Sequence, residues 1–490
     1  MKNKRDYNEV INNLSNKMGV GKSFDVVRRD IKIAGKDSSI FFIDGFIKDD
    51  VMVWILSILQ SCKKEEVLPN FLKNIISLKI PYVECNSTDD MEELEYCILS
   101  GSAVLFIEGV EEGIVIDTRT YPARGPEEPD LEKVTRGSRD GFVETIIFNT
   151  ALIRRRIRDP NLRFELMKVG KRSQNDVAIG YIGDIVNSQM LDDLREKINK
   201  IDTESLLMGV KTLEEYIFGN SWNPFPQARF TERPDVAAAH MLEGHIIILV
   251  DTTPSVMILP VTIFHFTQHA EDYYQNPTIG SYIRWVRHIS IFLSYILSPL
   301  WLLLVQNREF LPVWLEFIGP EKTGEISLLL QFIILEVGID VLRIASIHTP
   351  NALTTSLGII GALLLGEFAV KVGLFIPETI LYTAIVGIGM FATPSIEFAM
   401  AVRIFRLILI VFTGLFNIYG FIAGIILLLI SLFKTKSFGG VDYLWPLIPF
   451  NKRALKSILL RTPIPEVRMR PEFLKTENDE TRSRDENNKR

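Results

Sequence analysis

Apolar and polar positions change character at about residue 285. Before it, short apolar runs alternate with charged stretches, as in a packed soluble domain. After it, the apolar runs lengthen until several are long enough to cross a bilayer. In the first part, SIFFIDGFI (39–47) predicts a buried strand and the apolar 51–60 run a helix. Residues 91–99 predict a second helix, followed by strands over 102–108 and 114–119 around a glycine turn. The order then returns: a strand over 177–185, a charged amphipathic helix over 190–201, and AAAHMLEGHIIILVDTTPSVMILP (237–260). Leu242-Glu243-Gly244 echoes Leu99-Ser100-Gly101, and each precedes an apolar strand. The pattern reads as two related α/β subdomains; the rival reading is that unrelated strand–turn–strand units simply look alike.

Between the two copies lies the densest polar stretch, RGPEEPDLEKVTRGSRDGFVETIIFNTALIRRRIRDP (124–160), with eight basic and seven acidic residues. Asp140 is placed to cap a helix beginning near Phe142, and Arg154, Arg155, Arg156 and Arg158 crowd that helix's C-terminal end, where cations are favoured. With Arg136, Arg139 and Glu144 they form a candidate set of subunit or subdomain contacts built from arginine–carboxylate pairs. An anionic-ligand or lipid-headgroup site and an ordinary solvated, well-capped helix are the other readings. The segment is no phosphate loop, because it lacks the Gly-Lys-Ser/Thr that would hold phosphate and magnesium.

The apolar half opens with a run over 289–305, flanked by Tyr282, Trp285 and Trp301 as interfacial aromatics and by Arg284 and Arg287 on its near side. The second run, 326–344, carries Glu336, Asp340 and Arg343 on one helical face. The third, 353–375, holds Glu367 four residues before Lys371, the favourable order for an ion pair. A further span runs from about Pro377 to Thr393, with Gly387 and Gly389 permitting close packing. The last run, 404–433, is too long for one level span; it is either a tilted helix or bent near Asn417 and Gly420. Charges in such runs pack against partners or water. Glu336, Asp340, Arg343, Glu367 and Lys371 are therefore candidates for a conduction path or an intramembrane polar network. The alternatives are fixing helix register in an oligomer and, for Lys371, snorkelling. Basic residues at both flanks place the soluble part in the cytoplasm, which requires an even number of crossings among four to five segments.

Composition narrows the function. A net charge of −6 argues against a nucleic-acid binder. Cys62, Cys85 and Cys97 have no paired spacing, and the six histidines form no ligand pattern, so no metal or cofactor is expected. The absence of a nucleophile–base arrangement argues against an enzyme. The polar first 20 residues predict no cleavable signal peptide. The expected organisation is a flexible 1–38, a first subdomain over 39–123, a linker and helix over 124–160, and a second subdomain over 161–283. A membrane domain over 284–433, a cytoplasmic 434–474 and a disordered 475–490 follow.

Several stretches resemble the GerA-type A subunits of bacterial spore germinant receptors. They are 124–160, ERPDVAAAHMLEGHIIILVDTTPSVMILP (232–260) and EDYYQNP (271–277), and the likeness runs from about residue 39 to 471. FTERPDVAAAHMLEGH (230–245), FIGPEKTGEI (317–326) and VGIDVLRIASIHTPNAL (337–353) resemble the SpoVAF branch of that family more than a dedicated receptor subunit. The resemblance implies a multi-pass protein of the spore inner membrane, with a two-part cytoplasmic domain on the spore-core side. Receptor-type members are implied to form oligomeric ligand-gated ion channels that release monovalent ions early in germination, together with a transporter-like and a lipoprotein subunit. The SpoVAF branch is implied to associate with the dipicolinic acid channel machinery and to form an ion channel with a small membrane partner. The expected partners are thus further copies of the chain, other germination proteins and the bilayer. A non-conducting scaffold for such complexes is the alternative.

Overall fold

Two β-hairpins set the plan of the N-terminal half. The computed structural model describes residues 6–80, 84–121, 132–219, 222–310, 319–320, 324–348 and 369–481. By packing, the chain divides into two units: Met1–Asn220 with Ala228–Val261 and Pro465–Arg490, and Ser221–Gln227 with Thr262–Ile464.

The first unit opens with helix α1 (Tyr7–Met18), capped by Asp6 and closed by Gly19 at φ 74°. Strands β1 (Val26–Ile33) and β2 (Lys36–Ile43) form the first hairpin, turning at Ala34-Gly35 with both residues at positive φ, as a two-residue turn demands. Helix α2 (Asp49–Ser61), strand β3 (Cys85–Thr88), helix α3 (Met91–Leu99) and strands β4 (Ala103–Ile107) and β5 (Gly113–Ile116) follow. The sheet is antiparallel throughout, in the order β1-β2-β4-β5-β3. Ile33, Ile40, Leu105 and Ile114 meet Met52, Ile55 and Leu59 of α2 on one face. Phe41, Ile43, Val104 and Phe106 meet α1 and α3 on the other. Covered on both faces, β4 is apolar at every position.

After helix α4 (Ile146–Arg154), the plan repeats. It runs through β6 (Leu162–Val169), β7 (Asn175–Ile182), α5 (Ser188–Asn199), α6 (Val210–Phe218), β8 (Arg229–Thr231), α7 (Pro234–Glu243), β9 (Ile246–Val250) and β10 (Val256–Leu259). The strand order, β6-β7-β9-β10-β8, matches the first sheet position for position. Gly101 and Gly244, after α3 and α7, adopt φ of 104° and 108°, so the echo at 99–101 and 242–244 is one backbone solution used twice. The N-terminal region is thus two related subdomains of helices on antiparallel sheets.

Two expectations at the chain ends are corrected. Residues 1–38, read as flexible, contain α1, β1 and the first hairpin turn; the polar residues of β1 sit on an edge strand, where exposed Arg29, Asp30 and Lys32 are tolerated. The tail from 475, read as disordered, is held through Thr481, and the remainder lies outside the described residues. Phe473 and Leu474 are buried, Glu477 N donates to Ile185 O at 3.0 Å, and Asn187 Nδ2 donates to Lys475 O at 2.8 Å. Charge-rich composition hid the two apolar anchors just before the charged run.

The second unit is helical: α8 (Pro277–Gln306), α9 (Leu328–His348), α10 (Pro377–Phe391), α11 (Ile396–Lys434) and α12 (Lys452–Leu459). Helices α8 and α11 are long and apolar enough to cross a membrane; α10 is apolar but shorter. Trp301, expected at an interface, is buried against Phe332 and Tyr382, with ring centroids 5.7 and 5.1 Å away. Of the two glycines in α10, Gly389 makes the close approach: a Cβ there would lie 2.7 Å from Ser290 O of α8.

Helix α11 doubles back. Asn417 breaks it at φ 54°, ψ −132°, and exchanges side-chain amide hydrogen bonds with Asn307 at the end of α8. A Cβ on Gly420 would lie 1.8 Å from Phe412 O, and one on Gly424 would lie 3.3 Å from Leu409 Cα. In a straight helix positions 409 and 424 would be about 22 Å apart. The legs 396–416 and 418–434 therefore form an antiparallel helical hairpin, which resolves the excess length of the last apolar run. Both legs reach the 222–227 segment: Phe225 stacks on Phe405 of the first at 5.3 Å, and Asn223 bonds Thr435 at the end of the second. Gly424→Leu is expected to push the legs apart at a cost of about 1–3 kcal/mol, since a Cβ would already meet Leu409 Cδ1 at 2.5 Å. A lower melting temperature of the detergent-solubilised full chain, with new protease cleavage near Asn417, is the result to look for.

Candidate functional site

Among the described residues, three ion networks concentrate buried charge, two in the helical unit and one in the sheet unit. The first is built on α9. Its face bearing Glu336 and Asp340 meets Arg403 and Arg406, three residues apart on the first leg of α11. Glu336 is fully buried. Arg406 grips it bidentately, Nε to Oε1 at 2.9 Å and Nη2 to Oε2 at 2.8 Å. Arg403 Nη2 lies 3.3 Å from Glu336 Oε2 and also donates to the Glu336 carbonyl, while its Nη1 lies 2.5 Å from Asp340 Oδ1. Arg406 Nη1 reaches Ser294 O of α8 at 2.7 Å. Two carboxylates and two guanidinium groups thus neutralise each other and tie α8, α9 and α11 together. Asp340 differs from Glu336 in keeping 30% of its side chain exposed.

Of the five apolar-run residues singled out from the sequence, Glu336 and Asp340 come together on Arg403. Arg343 donates to Met400 Sδ at 3.0 Å. Lys371 is exposed, and Glu367 lies outside the described residues. Arg403 and Arg406 are not among the residues singled out from the sequence, because the last apolar run starts at Ile404, so that Arg403 precedes it and Arg406 is a lone charge near its start. Two arginines three apart, followed by an apolar run, were the available signal.

The second network explains EDYYQNP. Asp272 is fully buried and takes Arg287 bidentately at 2.7 and 2.8 Å, with Arg284 Nε at 3.4 Å. Asn276 caps α8 and Pro277 starts it. Arg284 also donates to Ser457 O and Ile458 O of α12. Arg284 and Arg287, read as charges flanking the first apolar run, lock the start of α8 to this carboxylate.

The third network lies in the sheet unit, at the join of its subdomains. Arg154, at the end of α4, is buried against Asp25: Nη2 to Oδ1 is 3.2 Å, and Nε also donates to Asp25. Arg154 further reaches Leu162 O at 3.2 Å, and Ser23 Oγ accepts from Phe164 N at 2.9 Å. One arginine therefore binds the entry of the first sheet to that of the second. Around it, Arg155 lies 4.6 Å from the Tyr121 ring, and Arg158 donates to Tyr96 Oη at 2.7 Å. Asp140 does not cap α4, which starts at Ile146 after Thr145; it binds Arg156 at 2.6 Å instead. Burial opposes its ionisation, but hydrogen bonds from Arg156 and Ser138 outweigh this and hold its pKa below the ordinary carboxylate value. Arg136, Arg139 and Glu144 remain exposed.

Arg233 extends this system. It is buried, chelates Asp235 at 3.1 and 2.7 Å, and donates to Glu132 O and Ser138 O. Phe142 N donates to Glu232 O at 2.8 Å. Residues 132–160 and 232–260, from the two polar motif blocks, are thus hydrogen-bonded to each other.

Nearby, His245 is buried at the start of β9 with Nδ1 3.1 Å from His240 O, and burial lowers its pKa from 6.5 to about 3. It stays neutral in the fold but takes a proton below about 6.5 when unfolded, so its contribution is complete above that pH and is lost as pH falls towards 3. The expected slope is about 1.4 kcal/mol per pH unit across that window. Unfolding curves of the full chain and of His245→Gln at several pH values measure it; the variant should lack this component.

The profile of the Bacillus/Clostridium GerA spore germination protein family matches residues 12–473. The chain is 43% identical to Stage V sporulation protein AF of Bacillus subtilis over 463 residues, 94% of each chain. It is 30% identical to Spore germination protein KA of the same organism over 478 residues, 96% of this chain and 87% of that one. Among solved structures, the N-terminal domain of the A subunit of the Bacillus megaterium spore germinant receptor GerK3 aligns at 28% identity and a TM-score of 0.41, covering 52% of this chain and 94% of that one.

Proposed function

The chain belongs to the GerA family of spore germination proteins, and from that premise we propose that it is a subunit of an oligomeric channel in the spore inner membrane, releasing monovalent ions early in germination. The observation that supports this reading most is the Glu336–Arg406–Arg403–Asp340 network. Its buried part, Glu336 with Arg403 and Arg406, carries one excess positive charge that Asp340 balances, and Asp340 sits one helical turn further along α9 and is partly exposed. Bulky apolar side chains around it, Val337, Val341 and Ile344, also point outward, as on a helix that meets lipid or a neighbouring copy. A carboxylate held on a fixed frame at such a face suits a cation pathway completed by other copies. In this reading Glu336 holds the frame and Asp340 meets the ion. The sheet unit lies on the spore-core side, and other germination proteins of that membrane are the partners.

The test is potassium release from germinating spores carrying Asp340→Asn at wild-type protein level. Release slowed several-fold, with the protein still in its membrane complex, is expected. Unchanged release would remove Asp340 from the path.

A non-conducting scaffold for germinant receptor or dipicolinic acid channel complexes is the second reading. It is favoured by exposed Arg136, Arg139 and Glu144, which stand in a segment whose Asp140, Arg154 and Arg156 bind internally. If neutral replacements at those three positions dissolved the membrane complexes while ion release by the remaining assemblies stayed normal, the scaffold would be preferred.

A further inference from the structure

Beyond the hairpin α11, residues 435–464 belong to the helical unit yet carry a surface unlike the rest of it. No acidic residue occurs between Asp442 and Glu466, while Lys452, Arg453, Lys456 and Arg461 do. Helix α12 turns Ile458 inward and presents Lys452, Arg453 and Lys456 outward, and these three make no ion pair among the described residues. The inner side is pinned to the start of α8: Arg284 donates to Ser457 O and Ile458 O, and Arg461 N donates to Ser281 Oγ at 2.9 Å. Just before the helix, Leu447, Ile448 and Phe450 project, Phe450 with 68% of its surface exposed. On α8, beside the pinned turn, Tyr282 and Trp285 are exposed as well.

Bulky apolar tips interleaved with unpaired cations are costly in water and match one surface: a bilayer interface with negative headgroups. A protein partner would have to supply both an apolar floor and a block of carboxylates. The segment is also continuous with helices long and apolar enough to cross a membrane, which start and end beside it. We infer that 446–456, with Tyr282 and Trp285, forms a collar that seats on anionic lipid headgroups. Leu447, Ile448 and Phe450 enter the acyl boundary, and Lys452, Arg453 and Lys456 bind phosphate oxygens of the lipid. This inference rests on the membrane reading of the helical unit.

The test uses the full chain in neutral detergent, titrated with short-chain phosphatidylglycerol, short-chain phosphatidylcholine and inorganic phosphate, and read by tryptophan fluorescence. Three cations at about fivefold each predict a preference for phosphatidylglycerol over phosphatidylcholine of roughly 100-fold. Lys452→Gln with Arg453→Gln and Lys456→Gln should collapse that preference to near unity, and Lys452→Arg with Lys456→Arg should keep it. Phe450→Ser should weaken both lipids alike. A triple variant that retains the preference, or phosphate binding as tight as phosphatidylglycerol, overturns the collar. Alkaline carbonate extraction of membranes separates the two claims. Release of the wild-type chain would refute the membrane reading itself, whereas retention alongside an unchanged triple variant refutes only the collar.

Discussion

Glu336→Gln is expected to leave little folded protein in the membrane. The substitution removes the charge that compensates Arg403 and Arg406, both buried and both fixed on the first leg of α11. Breaking a buried pair from one side costs about 3–5 kcal/mol, a large part of what holds a domain together. Arg403 keeps Asp340, but Arg406 keeps no carboxylate, only the Ser294 carbonyl and the neutral amide oxygen of the replacement. Removing both ends of the pair is milder, because apolar groups of similar volume replace a buried ion pair at little cost. Glu336→Met with Arg406→Leu should therefore recover most of the folded yield lost by Glu336→Gln. The measurement is the monodisperse fraction and melting temperature of the solubilised full chain. A Glu336→Gln protein that accumulates and melts like wild type would mean that the network carries no load. This result also governs any ion-release experiment, since slow release by a Glu336 variant with depleted protein says nothing about a conduction path.

The second large effect is expected at the join of the two subdomains. Arg154→Met leaves Asp25 buried without its guanidinium, and Asp25→Asn leaves Arg154 without its carboxylate. Each should destabilise the sheet unit by about 3–5 kcal/mol. Because both variants lose the same interaction, the double variant should cost far less than the sum, with a coupling of about 2–3 kcal/mol. Denaturant unfolding of the full chain, followed by signals from both subdomains, measures it. Additive losses would show that Arg154 and Asp25 act separately. A further expectation is that the two subdomain transitions separate in Arg154→Met, because the arginine bonds residues at the entry of each sheet.

What could be read beforehand follows the range of the interaction. The repeat was legible because both copies place an apolar strand after a helix that ends in glycine, a local pattern. The edge strands β1, β3, β6 and β8 were not, because an edge strand in such a sheet tolerates polar residues on its open side and VVRRDIKI carries four charges in eight residues. The arginine-rich stretch could be singled out as a candidate for arginine–carboxylate contacts from its composition alone. Its pairings could not, since Asp25 lies 129 residues from Arg154 and nothing in the spacing connects them.

By itself, the sequence determined the division into a sheet unit and a helical unit, the duplication within the first, the apolar helices of the second and the resemblance to a germination family. Each rests on composition or on periods of a few residues. The tertiary structure alone decided which charges are spent on one another. Glu336 is sealed by Arg406 and Asp340 is left partly exposed, although they stand four apart on the same face. It also decided that a 39-residue apolar helix folds into a hairpin at Asn417 and that charged-looking residues after 464 return to the sheet unit. Ion pairing and close packing depend on which atoms meet in space, and residues far apart along the chain carry no local record of that meeting.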